Sequence, residues 1–243
     1  MTEVYEACPR RMLVLTLVLD TSASMAGESI QATHESLERI AEELKTIQQE
    51  EPGIDLRVAL LRFDNTARWL TDGAQSVDAF FPPDLPTGGM TAMGEALERL
   101  NLAFSDRSIF RDPTAQYYRP IVIFMTDGYP TDHWEAPLYR LQQNRWYRRA
   151  LKMAIAYRDA DERVLSAIVG DDGAVVPLNH APELGGFLRQ LSVTSVRALA
   201  FPSDDPIYED ADGRPILLSG KDIVRLSAQA LREEEAADWP EDP

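Results

Sequence analysis

Five oxygen-bearing side chains stand out in the 243-residue sequence for the chemistry they could do together. They are Asp20, Ser22 and Ser24 in the run Asp20-Thr21-Ser22-Ala23-Ser24, Thr91 after Gly88-Gly89-Met90, and Asp127 in Thr126-Asp127-Gly128. Two carboxylates and three hydroxyls make a hard-oxygen donor set without thiolate or imidazole. Such a set suits Mg²⁺ or Mn²⁺, with Ca²⁺ also within its chemistry, better than zinc or copper. The one-residue gaps of Asp-x-Ser-x-Ser let one tight loop aim several oxygens at a single point. Two carboxylates do not fill and neutralise a cage, so a position is left for water or an outside ligand. Taken singly, each piece has a plainer reading: Ser22, Ser24 and Thr91 suit helix N-caps, and Asp127-Gly128 suits an ordinary turn. The metal reading depends on all three pieces converging.

The elements that must position them follow from hydrophobic patterning. Residues 12–19 (MLVLTLVL) form a short, almost unbroken apolar run, the pattern of a strand covered on both faces. Ile30, Leu37, Ile40, Ala41, Leu44 and Ile47 recur at helical spacing up to a stop near Pro52-Gly53. Residues 54–63 read as a second strand, and residues 67–70 as its antiparallel partner after the Asp64-Asn65 turn. A helix begins near Thr91 with Met93, Ala96, Leu97, Leu100 and Phe104 facing inward, and residues 121–125 (IVIFM) are another buried strand. Residues 138–157 read as a helix with Leu141, Ala150, Met153, Ala154 and Tyr157 toward the core, and residues 164–169 (VLSAIV) as a closing strand. This alternation predicts an α/β, doubly wound (Rossmann-like) and mostly parallel sheet of about six strands, one of them antiparallel, with helices on both faces. Ligand crevices in such sheets lie at the carboxyl ends of strands, where Asp20 and Asp127 fall.

Charge narrows the function classes. Lys and Arg total 24 against 40 Asp and Glu, a formal net charge of -16 that disfavours nucleic acid and anionic membranes as partners. Residues 233–243 (EEEAADWPEDP) hold six of the acids and no base, and read as a disordered, solubilising tail. Cys8 is the single cysteine, so an intramolecular disulfide and a multi-cysteine metal site are excluded. No apolar run approaches a membrane span of ~18 residues, and the N-terminus lacks an apolar signal core, so the expected location is cytoplasmic. The expected organisation is an N-terminal segment (1–11), one domain (12–200), a packed C-terminal extension (201–232) and the acidic tail. Within the extension, residues 206–218 carry a hairpin signal around Asp212-Gly213, and residues 222–231 a short helix capped by Asp222.

Asp20-Thr21-Ser22-Ala23-Ser24, Thr91 and Asp127-Gly128 resemble the metal-ion-dependent adhesion site (MIDAS) of von Willebrand factor A domains, whose pattern is Asp-x-Ser-x-Ser, a separate Thr and an Asp usually followed by Gly. The resemblance implies that Ser22 and Ser24 ligate a divalent metal and that Thr91 does so directly or through water. Asp20 and Asp127 would hold metal-bound water or bind directly, and a partner protein's Asp or Glu would take the vacant position. It implies a protein-binding module with no catalytic residues. The stretch from Thr126 to Trp134 (TDGYPTDHW) is further similar to the stand-alone bacterial tellurite-resistance proteins of the TerY type. That similarity implies a cytoplasmic adaptor in a stress-response, tellurite-resistance or phage-defence system, whose partner is a kinase, phosphatase or ATPase from the same gene cluster. The 105–119 connection and residues 202–232 depart from that pattern.

Tyr129, Asp132, His133 and Trp134 follow Asp127 and are expected to rim the crevice as partner anchors, or else Trp134 packs inward and His133 is merely solvated. Arg145, Arg148, Arg149 and Lys152, with Trp146 and Tyr147, read as a basic-aromatic helical segment. It would meet an acidic partner, pair with glutamates of the first helix, or simply face solvent. The rival function is a metal-dependent phosphohydrolase or phosphotransferase with Asp20 at the first strand end, resembling the haloacid-dehalogenase layout. That layout needs Asp-x-Asp, and Ser22 cannot serve as its acid/base. A third reading is a structural subunit whose metal site has lapsed.

Overall fold

A computed structural model describes residues 11–105, 109, 115–200 and 218–237. The hairpin expected at 206–218 lies outside the described residues except for Leu218. Strand β1 (Arg11–Asp20) is central, with β2 (Ile54–Phe63) and β6 (Ile121–Thr126) parallel on either side. The order continues through β7 (Leu151–Tyr157) to β8 (Ala174–Leu178), both parallel. On the other side β3 (Ala67–Trp69) and the two-residue β4 (Gln75–Ser76) run antiparallel to β2. A short β5 (Gln116–Tyr117) pairs with the start of β1.

The alternation of β1 explains the layers. Leu13, Leu15, Leu17 and Leu19 join the apolar cluster under α1 (Glu28–Glu50), α6 (Ala181–Ala200) and α7 (Gly220–Ala237). Val14 and Val18 face the other cluster, under α2 (Met93–Ser105), α3 (Glu135–Gln143), α4 (Arg145–Arg149) and α5 (Glu162–Val169). With both faces covered, a strand has no polar side, which is why its sequence is a continuous apolar run. Helices α1 and α6 approach closely because a Cβ at Gly185 would lie 2.8 Å from Ala32 O, and Ser36 Oγ donates to Gly185 O at 2.6 Å.

Three element readings are corrected. The helix expected at 222–231 spans Gly220–Ala237, into the stretch read as a tail, and Ser219 rather than Asp222 precedes it, its Oγ accepting from Asp222 N at 3.3 Å. Residues 138–157 are not one helix: α3 and α4 are followed by strand β7, and residues 164–169 belong to helix α5 rather than a strand. A short apolar run fits a buried strand or a buried helix equally well by periodicity. The arbitrating signals flank the runs. Asn144 caps α4, its side chain accepting from Trp146 N at 2.9 Å, and Ala150 then leads into β7. Asp161 caps α5, accepting from Arg163 N at 2.9 Å, and Gly170 ends it at φ 73°, a left-handed conformation that favours glycine.

Candidate metal centre

Three loops meet at the carboxyl edge of β1 and β6. The first leaves β1 at Asp20, whose carboxylate turns back on its own loop: Ser22 N donates to Oδ1 at 2.8 Å, and Thr126 Oγ1 from the end of β6 donates to Oδ2. Ser22 Oγ lies 3.1 Å from Ser24 Oγ, and Ser24 Oγ donates to Asp127 Oδ1 at 2.8 Å. One chain of oxygens therefore links the Asp-x-Ser-x-Ser loop to the β6 loop. Thr91 arrives from the third loop: a Cβ at Gly128 would sit 3.3 Å from Thr91 Oγ1, so that hydroxyl lies beside the Asp127-Gly128 turn. Asp20, Ser22, Thr91 and Asp127 are buried, and Ser24 is exposed.

The helix-cap readings of Ser22 and Thr91 do not describe the geometry. Ser22 precedes a single 3-10 turn without a side-chain capping bond, and α1 starts from Gly27, which has no side chain to cap it. Thr91 does not cap α2. That role falls to Asp132, whose Oδ1 and Oδ2 accept from Gly94 N (2.8 Å) and Glu95 N (2.9 Å). A carboxylate there also meets the positive end of the helix dipole.

Asp132 is thus a strut between loops and not an open rim residue. Neighbouring Thr131 reinforces it: its Oγ1 accepts from Thr91 N at 3.1 Å and its N–H donates to Thr91 O at 2.9 Å. Gly94 permits the approach, since a Cβ there would come within 2.3 Å of His133 O. Trp134 is half-buried against the apolar cluster on that face, whereas His133 and Tyr129 are exposed.

Patterning did not single out the residues that hold the Thr91 loop from the other side. Asn65 Oδ1 accepts from Met90 N at 2.9 Å, and Asp64 O accepts from Ala92 N at 2.8 Å. Gly89, at φ 73°, lets the loop pass over the Asn65 amide, where a Cβ would meet side-chain atoms at 2.4 Å. Arg62 pairs with Asp64 at 2.5 Å and donates to Thr21 Oγ1 at 3.3 Å, tying the β2–β3 turn to the first loop. Met90, 59% exposed, and Tyr129, 62% exposed, each adjoin a site segment and give it an apolar rim. Met90 carried no sequence signal beyond its place before Thr91.

Electrostatically the site is unbalanced. Burial pushes the Asp20 carboxyl up to about 6, outweighing the bonds from Thr126 and Ser22, and the nearby Asp127 charge adds to the rise. Asp127 is also raised, again mainly by burial, with Ser24 and Arg158 acting against it. Two carboxylates sharing a buried pocket of hydroxyls favour a cation among them. The donor set is all oxygen, and among the described residues no group of three or more His, Cys, Asp or Glu side chains competes as a metal site. The residues present fit a hard divalent cation.

Residues 15–184 match the family model of the von Willebrand factor type A domain. No curated protein matches the chain. Similar solved structures include the ArnB paralog VWA2 from Sulfolobus acidocaldarius (17% identity, TM-score 0.53, covering 74% of this chain and 44% of that one). Another is the von Willebrand factor type A protein from Catenulispora acidiphila (18%, 0.53, 75% and 42%). Proximal thread matrix protein 1 from the mussel byssus, in a form whose MIDAS motif is occupied by zinc, gives 18%, 0.54, 77% and 48%. The chain therefore spans less than half the length of these three proteins, and at such identities the likeness is one of fold.

Proposed function

The chain belongs to the von Willebrand factor type A family, and on that premise we propose that it is a metal-dependent protein-binding module, an adaptor without catalytic activity. The observation that carries this is the convergence of Asp20, Ser22, Ser24, Thr91 and Asp127 from three loops, with two buried carboxylates that lack a cationic partner within ion-pair distance among the described residues. These five would hold Mg²⁺, with Mn²⁺ or Ca²⁺ as alternatives, and the cation would supply an electrophilic anchor for an Asp or Glu of a partner protein. The chain's own part is positioning. Thr126 and Ser22 N–H fix the Asp20 carboxylate, Ser24 fixes Asp127, and Asn65, Thr131 and Asp132 fix the loop bearing Thr91. Exposed Met90, Tyr129 and His133 would contact the partner around the bound carboxylate.

The hydrolase reading gains nothing from the geometry, because Ser22 stands where that chemistry needs a carboxylic acid and its hydroxyl is engaged by Ser24. The TerY-type setting belongs to the same proposal: a cytoplasmic bacterial adaptor for a kinase, phosphatase or ATPase encoded nearby, in stress, tellurite or phage-defence responses. No described helix is long and apolar enough to cross a membrane. The test is a pull-down from native extract using wild type and Asp20→Ala, each with Mg²⁺ or EDTA. Capture by wild type with metal alone is expected; equal capture in all four conditions sinks the proposal.

A further inference from the structure

At the opposite, amino edge of the sheet a cavity of about 370 Å³ is lined by Arg119, Arg148, Arg149, Asp172, Leu218 and Ser219. Its walls come from four places: the residue pair before β6, the end of α4, the turn before β8 and the start of α7. The wall at α7 is fixed in place. Gly220 N donates to Asp172 O at 2.8 Å, and a Cβ at Gly220 would lie 2.5 Å from Lys152 O, so only glycine allows α7 to start there. Arg119 is fixed too, its Nε donating to Arg149 O at 2.8 Å and its Nη1 to Leu218 O. These are bonds to neutral carbonyls, which orient the guanidinium and leave its charge uncompensated.

Among the described residues that line the cavity, three arginines face one aspartate, an excess of two positive charges. Lys152 stands close behind. Its ammonium is held below its usual range by burial first and by the Arg119 charge second, with Asp172 opposing. Arg119 is likewise lowered by burial, against the pull of Asp172. Among the described residues none of these four cations makes an ion pair within 4.0 Å; elsewhere Arg62, Arg140, Arg189 and Arg197 each meet a carboxylate, while Arg39, Arg145 and Arg163 do not. In a chain with a net charge of -16, three arginines lining one cavity are a local concentration of positive charge.

We propose that this cavity binds a phosphate monoester dianion, with Arg148 and Arg149 gripping its oxygens and Arg119 supplying fixed charge behind them. Arginine forks match phosphate oxygens in pairs. A phosphate group carries about -1.5 to -2 charge near pH 7, which matches the excess where a single carboxylate would not. The site is separate from the metal centre, since the six residues of β6 put roughly 20 Å of strand between the two edges.

The test is calorimetric titration of the full chain in EDTA, at constant ionic strength, with inorganic phosphate, AMP and a phosphoserine peptide, and with chloride and the unphosphorylated peptide as controls. Wild type should bind phosphate over chloride, and Arg148→Ser with Arg149→Ser should weaken it about tenfold or more. Both arginines are exposed, so the double variant should keep its fold, and the double variant Arg39→Ser with Arg163→Ser, also at exposed positions, controls for the loss of two charges. Tighter binding of the phosphopeptide than of AMP and phosphate would assign the source to a phosphorylated partner; the reverse order would assign a small phosphorylated metabolite. The proposal is overturned by phosphate binding no better than chloride, by a double variant within twofold of wild type, or by loss of binding in Asp20→Ala. It is also overturned if phosphate binds only after Asp204, Asp205, Glu209, Asp210 and Asp212 are neutralised, which would make an acidic stretch of the same chain the occupant.

Discussion

At the carboxyl edge of the sheet, Asp20 and Asp127 are buried among hydroxyls, whereas at the amino edge Arg119, Arg148 and Arg149 gather around a single exposed Asp172. The same central strands connect the two, and two apolar clusters fill the space between them. Among the described residues each edge holds an excess of charge of one sign, and roughly 20 Å of strand separates the two. Charge that a fold leaves uncompensated is destabilising unless a ligand supplies the opposite sign, which is why we propose a cation at one edge and an anion at the other. The edges should therefore respond to substitution independently.

The largest effect expected is from Asp20→Ala. It should abolish divalent-metal binding and metal-dependent partner capture while phosphate binding at the amino edge stays within twofold of wild type. Calorimetry with Mg²⁺ and with phosphate on one preparation checks both halves. Next is Gly94→Ala. A Cβ placed 2.3 Å from His133 O must push the 131–134 loop off α2, breaking the Asp132 cap and the Thr131 hold on Thr91 together. The cost should be about 2–4 kcal/mol, as for overpacking plus a lost cap, with weaker metal binding on top; denaturant melts read the first part.

The two edges should also part company in pH. In metal-free protein the folded-state Asp20 sits at about 6, above its ordinary 3.8, so between these values the folded state binds more protons than the unfolded. Stability should then rise as pH falls from 7 toward 4.5, by about 2 kcal/mol at most, and this gain should disappear when Mg²⁺ is present. Below that window Asp64 and Asp222, both held low in the folded state, reverse the trend. Lys152 works the other way: its lowered folded-state value makes stability rise with pH as the unfolded chain's lysine approaches its own titration. Thermal melts from pH 4.5 to 10, with and without Mg²⁺, should show the acid-side gain, while near pH 10 the buried Tyr147, raised by desolvation, opposes Lys152; a flat metal-free acid limb would remove the argument for a strained Asp20.

The edges differ as much in how far the sequence disclosed them. The carboxyl-edge set was readable because Asp20, Ser22 and Ser24 occupy one loop, and Thr91 and Asp127 sit at the borders of elements with strong apolar patterning. The mostly parallel sheet and the antiparallel β3 were readable for the same reason, whereas the strand order was not. The amino-edge cluster was not, because Arg119, the Arg148-Arg149 pair at the end of α4 and Asp172 lie on three separate stretches and meet only once β7 is recognised as a strand. Reading residues 138–157 as one helix put Arg148 and Lys152 on a continuous helical segment, with α1 glutamates as a candidate partner. In the structure Glu43 and Glu50 of α1 pair with Arg189 and Arg197 of α6 instead. Tyr147, grouped with those basic residues, is fully buried, its hydroxyl donating to Ile168 O at 2.7 Å.

Asn65 marks the limit of that legibility inside the carboxyl edge itself. In sequence it is half of an Asp-Asn turn, which accounts for it completely. In space its side chain accepts from Met90 N and lies where any side chain at Gly89 would have to go, so it sets the height at which Thr91 approaches Gly128. Asn65→Ala removes that stop without touching a proposed ligand and without filling space. Metal affinity should fall about tenfold, the lower range for groups that orient ligands, while melting temperature without metal changes little and phosphate binding does not change. Asn65→Asp is the sharper variant. It keeps an acceptor for Met90 N but brings a third carboxylate toward the site, so recovered affinity would assign Asn65 the geometric role alone. Affinity above wild type would show that negative charge, and not loop height, limits metal binding at this edge.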